Sequence, residues 1–144
     1  MKKVVICADK KAAKLQEVLE SYVKELGDEV ETILEGKDSK EYLDKIVQVS
    51  KKAVKGDVDR VIFLDEVGAK SFMISSKVKG MVTACVTDEH SAKMTRDHNG
   101  ALGLAIGYEL VGEVLAKRLV KIFIDKDFSA GRHMVRIDML NKMA

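Results

Sequence analysis

Proline is absent from this chain of 144 residues, which leaves its ten glycines to make the turns. Cysteine occurs only twice, as Cys7 and Cys85, each inside an apolar run where a thiol reads as a small buried hydrophobe. These two cysteines and three scattered histidines offer no metal-ligand spacing, so no bound metal is expected. Charge of one sign is also lacking. With 25 basic against 23 acidic residues the net charge is +2, too small to gather nucleic acid or an anionic membrane surface. Any basic function must therefore be local. Long apolar stretches are missing too. The five residues between Lys3 and Asp9 are too few for a signal-peptide core, and no run approaches membrane-spanning length. A cytoplasmic protein is expected. There is no Walker-type loop, and Ile6-Cys7-Ala8-Asp9-Lys10-Lys11 stands where Gly-x-Gly-x-x-Gly would follow a first strand, which disfavours nucleotide binding of those kinds. Nor is there a repeat, low-complexity tract or linker, so residues 1–144 read as one domain.

What is present is a mixed composition, 47% hydrophobic and 33% charged, suited to a globular fold. Five apolar runs read as strands: Val4 to Ala8, Val30 to Leu34, Val61 to Leu64, Met81 to Val86 and Ala101 to Ile106. Amphipathic helical stretches lie between them, for example Leu15, Val18, Leu19, Tyr22, Val23 and Leu26, then Tyr42, Ile46, Val49 and Ala53. Glu29 and Glu31 around Val30 suit an edge strand. A further helix is expected from about Glu109 to Ile124, with Leu110 and Val114 on its apolar face. The last helix, carrying Val135, Ile137, Leu140 and Met143, follows a complete βα set and is expected as a C-terminal extension over a partner. Strands alternating with helices predict an α/β fold with a five-stranded parallel sheet covered on both faces, a three-layer α/β/α arrangement. Right-handed crossovers make 2-1-3-4-5 the leading strand order. Ligands would then bind beyond the strands' carboxyl ends, near Asp9, Asp65 to Ser71 and Asp88 to Ser91.

Local chemistry concentrates in a few places. Arg132 and Arg136, four apart at a helix start just after Gly131, suit a phosphate. A pair of solvated arginines is the plain alternative. His98 and Asn99 fall at the end of a helix beginning near Asp88, where a histidine either caps loose carbonyls or does acid–base work. Lys10, Lys11 and Lys14 read as a solvated basic patch.

Taken together, Ala8-Asp9-Lys10, Gly68 to Met73, Lys77 to Val82, Arg96-Asp97-His98-Asn99 and Gly131-Arg132-His133 resemble the type B ribose-5-phosphate isomerase family. That family includes the paired A and B subunits of galactose-6-phosphate isomerase. The ending Arg136 to Met143 is similar to the A-type chains. The resemblance spans nearly the whole chain. It implies a Rossmann-like fold, aldose–ketose isomerisation of a phosphorylated sugar, no cofactor, and active sites built between subunits of a dimer or higher oligomer. It further implies that Asp9 binds substrate, that His98 and Asn99 serve ring opening, and that Arg132 and Arg136 hold the phosphate.

The chain departs from the family pattern after its third strand. Asp65 stands where the family has a cysteine base, and Glu66-Val67-Gly68-Ala69-Lys70 replaces Gly-Thr-Gly-x-Gly. Glu66 directed inward would oppose an anionic enediolate, and Lys70 threatens to crowd a tight turn. Lys10 replaces a common histidine, and Ser71 stands where some members carry a glutamate base. A-type chains share the aspartate. These departures imply a half-site subunit whose proton-moving cysteine comes from a B-type partner. Two alternatives are a homomeric isomerase using Asp65 as base and a noncatalytic sugar-phosphate-binding subunit.

Overall fold

The structure, a computed structural model, describes residues 1–143. Five strands, β1 (Lys3–Asp9), β2 (Glu29–Glu35), β3 (Arg60–Asp65), β4 (Thr83–Cys85) and β5 (Gly103–Gly107), form one parallel sheet. Side chains alternate across it. Val4, Ile6, Ala8, Ile62, Leu64, Leu104 and Ile106 pack on one face, and Val5, Cys7, Val61, Phe63 and Ala105 on the other. Both faces are covered, which is why these strands read as unbroken apolar runs. Against the first face lie α1 (Ala13–Glu25), α4 (Glu89–Asp97) and α5 (Glu113–Asp125). Against the second lie α2 (Lys40–Lys55) and α3 (Ala69–Ser75). The result is the expected three-layer, Rossmann-like α/β/α arrangement.

The strand order is β2-β1-β3-β5-β4, which corrects the expected 2-1-3-4-5. β2 is an edge, as its glutamates indicated, but the other edge belongs to β4. That strand has only three residues, and its exposure increases from buried Thr83 to exposed Cys85. β5, buried throughout, takes the inner place. Gly103 permits it: a Cβ there would stand 2.7 Å from Thr83 Oγ1 and 3.0 Å from Phe63 Cε2. The expectation that Cys85 is buried is corrected by the same edge position, whereas Cys7 is fully enclosed and burial pushes its thiol up to about 12. Because the chain steps outward to β4 and then back to β5, α3 and α4 end up on opposite faces. The carboxyl ends of β1, β3 and β5 consequently line a crevice between diverging crossovers.

Helix ends follow local chemistry. Ser39 caps α2, accepting from the Tyr42 amide at 3.1 Å, and Gly56 closes that helix in the left-handed region. The expected helix from Glu109 starts only at Glu113. Residues 108–110 instead form a turn, and the Leu110 and Val111 amides both donate to the Gly107 carbonyl. Leu110 in this turn and Val114 in the first turn of α5, placed on an apolar face by periodicity, are both exposed. A 3₁₀ turn (Gly131–His133) leads into α6 (Met134–Asn141), whose only buried residue is Ile137. Val135 at 69% and Met139 at 61% exposure leave this helix without a core of its own. Among the described residues no helix is long and apolar enough to cross a membrane.

Candidate active site

Asp9 ends β1 and Asp65 ends β3, so register alone places them side by side at the sheet's carboxyl rim. Asp9 is almost wholly enclosed, and its Oδ1 accepts from the Lys11 amide at 2.8 Å, which starts the 3₁₀ turn Lys10–Ala12. Its Oδ2 is buried with no hydrogen-bond partner. Burial raises the Asp9 pKa, against the lowering effect of the Lys11 and Ala12 amides, with the nearby Asp65 charge adding to the rise.

Asp65 has no such freedom. One of its oxygens accepts a short hydrogen bond from the Gly68 amide, and the other accepts from the Ser71 amide at 2.8 Å and the Ser71 hydroxyl at 2.6 Å. The carboxylate thus folds residues 66–71 back over the strand end. Gly68 makes the bend at φ +82, and a Cβ there would meet Cys85 Sγ at 2.6 Å. Ser71, at the position of the alternative glutamate base, is fully buried in this anchoring role.

The two charges expected to disturb this loop are drawn aside by residues 36–39. Glu66 forms an ion pair with Lys37. The Lys70 ammonium donates to the Lys37 carbonyl at 2.8 Å and to Asp38 Oδ1 at 3.0 Å. Glu66 lines the cavity but is countered by Lys37, and the Lys70 ammonium is bonded to residues 37 and 38 and does not crowd the turn. A cavity of about 370 Å³ remains, lined by Asp9, Asp65, Glu66, Val67, Lys37 and Lys70 among others.

The other candidates gather around the end of α4. Asp88 caps the start of that helix through the Ser91 amide at 2.8 Å. At its end, Arg96 is buried and donates to the carbonyls of Ala101 and Lys126. The Asp97 carbonyl accepts from both the amide and the hydroxyl of Ser129. These bonds bind residues 126–129 along the helix terminus, and the Phe128 ring closes over Gly100. The following turn is thereby delivered to the rim. His98 stacks on His133 with ring centroids 4.2 Å apart and planes 15° from parallel. Arg136 donates to Asn99 Oδ1 at 3.1 Å. Partial burial, then the charges of His98, Arg132 and Arg136, hold the His133 pKa below its ordinary value. This is an electropositive surface with two exposed arginines, suited to an anion.

Four of the sequence candidates, His98, Asn99, Arg132 and Arg136, thus belong to one cluster, and Asp9 and Asp65 belong to another. None of the first four lines the cavity that holds the two aspartates. Sequence reasoning missed Lys37, which lies in a loop after an uncertain strand. It missed Tyr108 as well, although this is the first residue past β5 and so at the rim.

Residues 4–140 match the model of the ribose/galactose isomerase family. Galactose-6-phosphate isomerase subunit LacA of Staphylococcus epidermidis is 41% identical over 140 residues, covering 97% of this chain and 98% of that one. The protein of the same name from Lactococcus lactis subsp. lactis is equally similar, 41% over the same coverage. Among solved structures, ribose-5-phosphate isomerase B of Clostridium thermocellum superposes with a TM-score of 0.89 at 30% identity, over 97% of this chain and 95% of that one. The Thermotoga maritima ribose 5-phosphate isomerase gives 0.90 at 27% identity, over 99% of each chain.

Proposed function

This chain belongs to the ribose/galactose isomerase family, and on that premise we propose that it is the A-type subunit of a galactose-6-phosphate isomerase. It interconverts galactose 6-phosphate and tagatose 6-phosphate only together with a cysteine-bearing B-type partner. The observation that carries this reading is the state of Asp65. In a family whose base stands at this position, three hydrogen bonds from its own loop hold this carboxylate in an anchoring role. The chain therefore carries a loop-anchoring aspartate at the position where the family carries its base. Asp65 as the base of a homomeric enzyme is the weaker alternative for the same reason.

The chain contributes the other half of the chemistry. Aldose–ketose isomerisation requires an opened ring, a proton moved between adjacent carbons, charge held on the enediolate oxygens, and an anchored phosphate. Arg132 and Arg136 hold the phosphate by charge-assisted hydrogen bonds. His98, steadied by its stack on His133, transfers a proton to the ring oxygen as the cyclic sugar opens. Asn99, held by Arg136, hydrogen-bonds the substrate. The proton transfer between carbons falls to the partner's thiol. The exposed apolar face of α6 is then covered by that partner, in a dimer or larger oligomer.

The test is to assay the purified chain alone and after co-expression with a family member that has cysteine at the position of Asp65. Galactose 6-phosphate should turn over only in the mixed preparation. Rapid turnover by the lone chain, abolished in Asp65→Asn, would establish the homomeric alternative instead.

A further inference from the structure

Arg60 opens β3 and Arg96 lies in the last turn of α4, and each is only 6% exposed. Buried guanidiniums are rare unless paired. Among the described residues the only ion pair to either is between Arg60 and Asp127, at 4.0 Å, and that carboxylate is 88% exposed. Such a pair contributes little. Carbonyls take the place of carboxylates here. Arg60 Nε donates to the Phe123 carbonyl at 3.1 Å and Nη2 to the Lys126 carbonyl at 3.2 Å. Arg96 Nε donates to the same Lys126 carbonyl at 3.1 Å, and Nη1 to Ala101 at 2.7 Å. Phe123 is among the last four residues of α5, whose carbonyls have no partner further along the helix, and Lys126 is the first extended residue beyond it. Both guanidiniums also lie against the Phe123 ring, 5.9 and 6.0 Å from its centroid. Burial first, and then the Arg60 charge, lowers the Arg96 pKa to about 10. The partial negative charge at the carboxyl ends of α4 and α5 offsets that repulsion. The Lys126 carbonyl is thus gripped from two sides, and the chain runs from it into the turn that carries Arg132 and His133.

Resting on the sugar-phosphate reading above, we propose that Arg60 is a positioning residue for the phosphate-binding cluster, fixing the start of the segment that carries Arg132, His133 and Arg136 against the end of α4. Arg96 ties that segment to α4 alone. Arg60 adds β3, the central strand of the sheet, as a fixed reference. Two arginines bind one anion well when their spacing is held before the ligand arrives, because less ordering is left to the binding step. Replacing Arg60 by an apolar side chain of similar length removes a buried charge and relieves the repulsion on Arg96, so the fold has little reason to weaken. What is lost is the placement.

The stack of His98 on His133 reports that placement, and His90, exposed at the start of α4, is an internal reference. Proton NMR of the histidine rings, on the full chain with all three histidines neutral, compares wild type, Arg60→Met and Arg60→Lys, alongside calorimetric titration with inorganic phosphate. In Arg60→Met the ring protons of His98 and His133 should lose the ring-current displacement of the stack and move toward those of His90. Phosphate should bind about threefold to tenfold more weakly. Arg60→Lys keeps the cation and the stem but not the planar fork, and should change in the same direction by less. Either readout left at its wild-type value in Arg60→Met overturns the proposal, whatever happens to the melting temperature, since a purely structural arginine would move only the latter. Should Arg60→Met fail to fold, wild-type ring shifts in Arg60→Lys overturn it. If wild type binds no inorganic phosphate, the reading of the cluster as a phosphate site itself fails, and the proposal falls with it even where the rings respond.

Discussion

At the scale of single residues, the two rim aspartates show how identical side chains acquire different duties from their amide neighbours. Asp65 accepts three hydrogen bonds from its own loop, whereas Asp9 accepts one, from the Lys11 amide, and is otherwise buried. That burial has a pH signature. Because the folded-state pKa of Asp9 is raised by burial, the folded protein holds this proton more tightly than the unfolded chain. Its contribution is fully present below the ordinary carboxylate pKa and is lost as pH rises through the raised value. Asp9→Asn cannot ionise, so it should unfold at higher urea than wild type near pH 7 and show less decline between acid and neutral pH. Binding of the sugar phosphate should weaken in the same variant. Urea titrations at a series of pH values check the first part; a steeper decline in the variant would contradict it.

His98 and Arg136 separate by kinetic signature in the mixed complex. His98→Asn should lower kcat about 10²- to 10⁴-fold, the usual value of general acid–base assistance, and leave assembly intact. A preformed open-chain analogue should recover part of the loss. Arg136→Ala should instead raise KM, about tenfold to a hundredfold, because it removes a charge-assisted contact to a group remote from the reacting carbons. Steady-state kinetics on the cyclic substrate distinguishes the two. Full activity of His98→Asn would leave that histidine as a helix cap.

At the scale of elements, the segment joining α5 to α6 has the most exacting task, since it carries Arg132, His133 and Arg136 to the end of α4. It is held by hydrogen bonds from Ser129 to the Asp97 carbonyl and by Phe128 over Gly100. Just before the 3₁₀ turn, Ala130 adopts φ 52 and ψ −121, a conformation that favours glycine. Such a residue costs on the order of 1–3 kcal/mol, and glycine in its place gives back roughly 0.4–1 kcal/mol through a freer unfolded chain. Ala130→Gly should therefore stabilise the protein by about 1 kcal/mol. Chemical denaturation measures this directly, and a destabilised variant would show that the backbone is unstrained there.

At the scale of the whole molecule, the chain holds two incomplete halves of one chemistry at separate places, and its last helix has little core of its own. Both features support the proposal that a second chain completes the site. Much of this was legible in the sequence. Strands buried on both faces leave continuous apolar runs, caps such as Asp88 and Gly56 sit at helix ends, and arginines four apart on a helix share a face whatever the fold around them. The parallel α/β class and the edge position of β2 are local properties of this kind, whereas Arg132 falls in the 3₁₀ turn and only Arg136 in α6. The start of α5 was less legible, because apolar periodicity continues through Leu110 and cannot register the turn on Gly107. What only the tertiary structure decided depends on contacts between distant segments: the inner place of β5, the diversion of Glu66 and Lys70 toward residues 37 and 38, and the stack of His98 on His133. Strand order follows from which side chains fit between sheets and helices, and Gly103 makes room for β5 only in the presence of Thr83 and Phe63. No local pattern encodes that fit, so it became visible only when β5 was found next to β3.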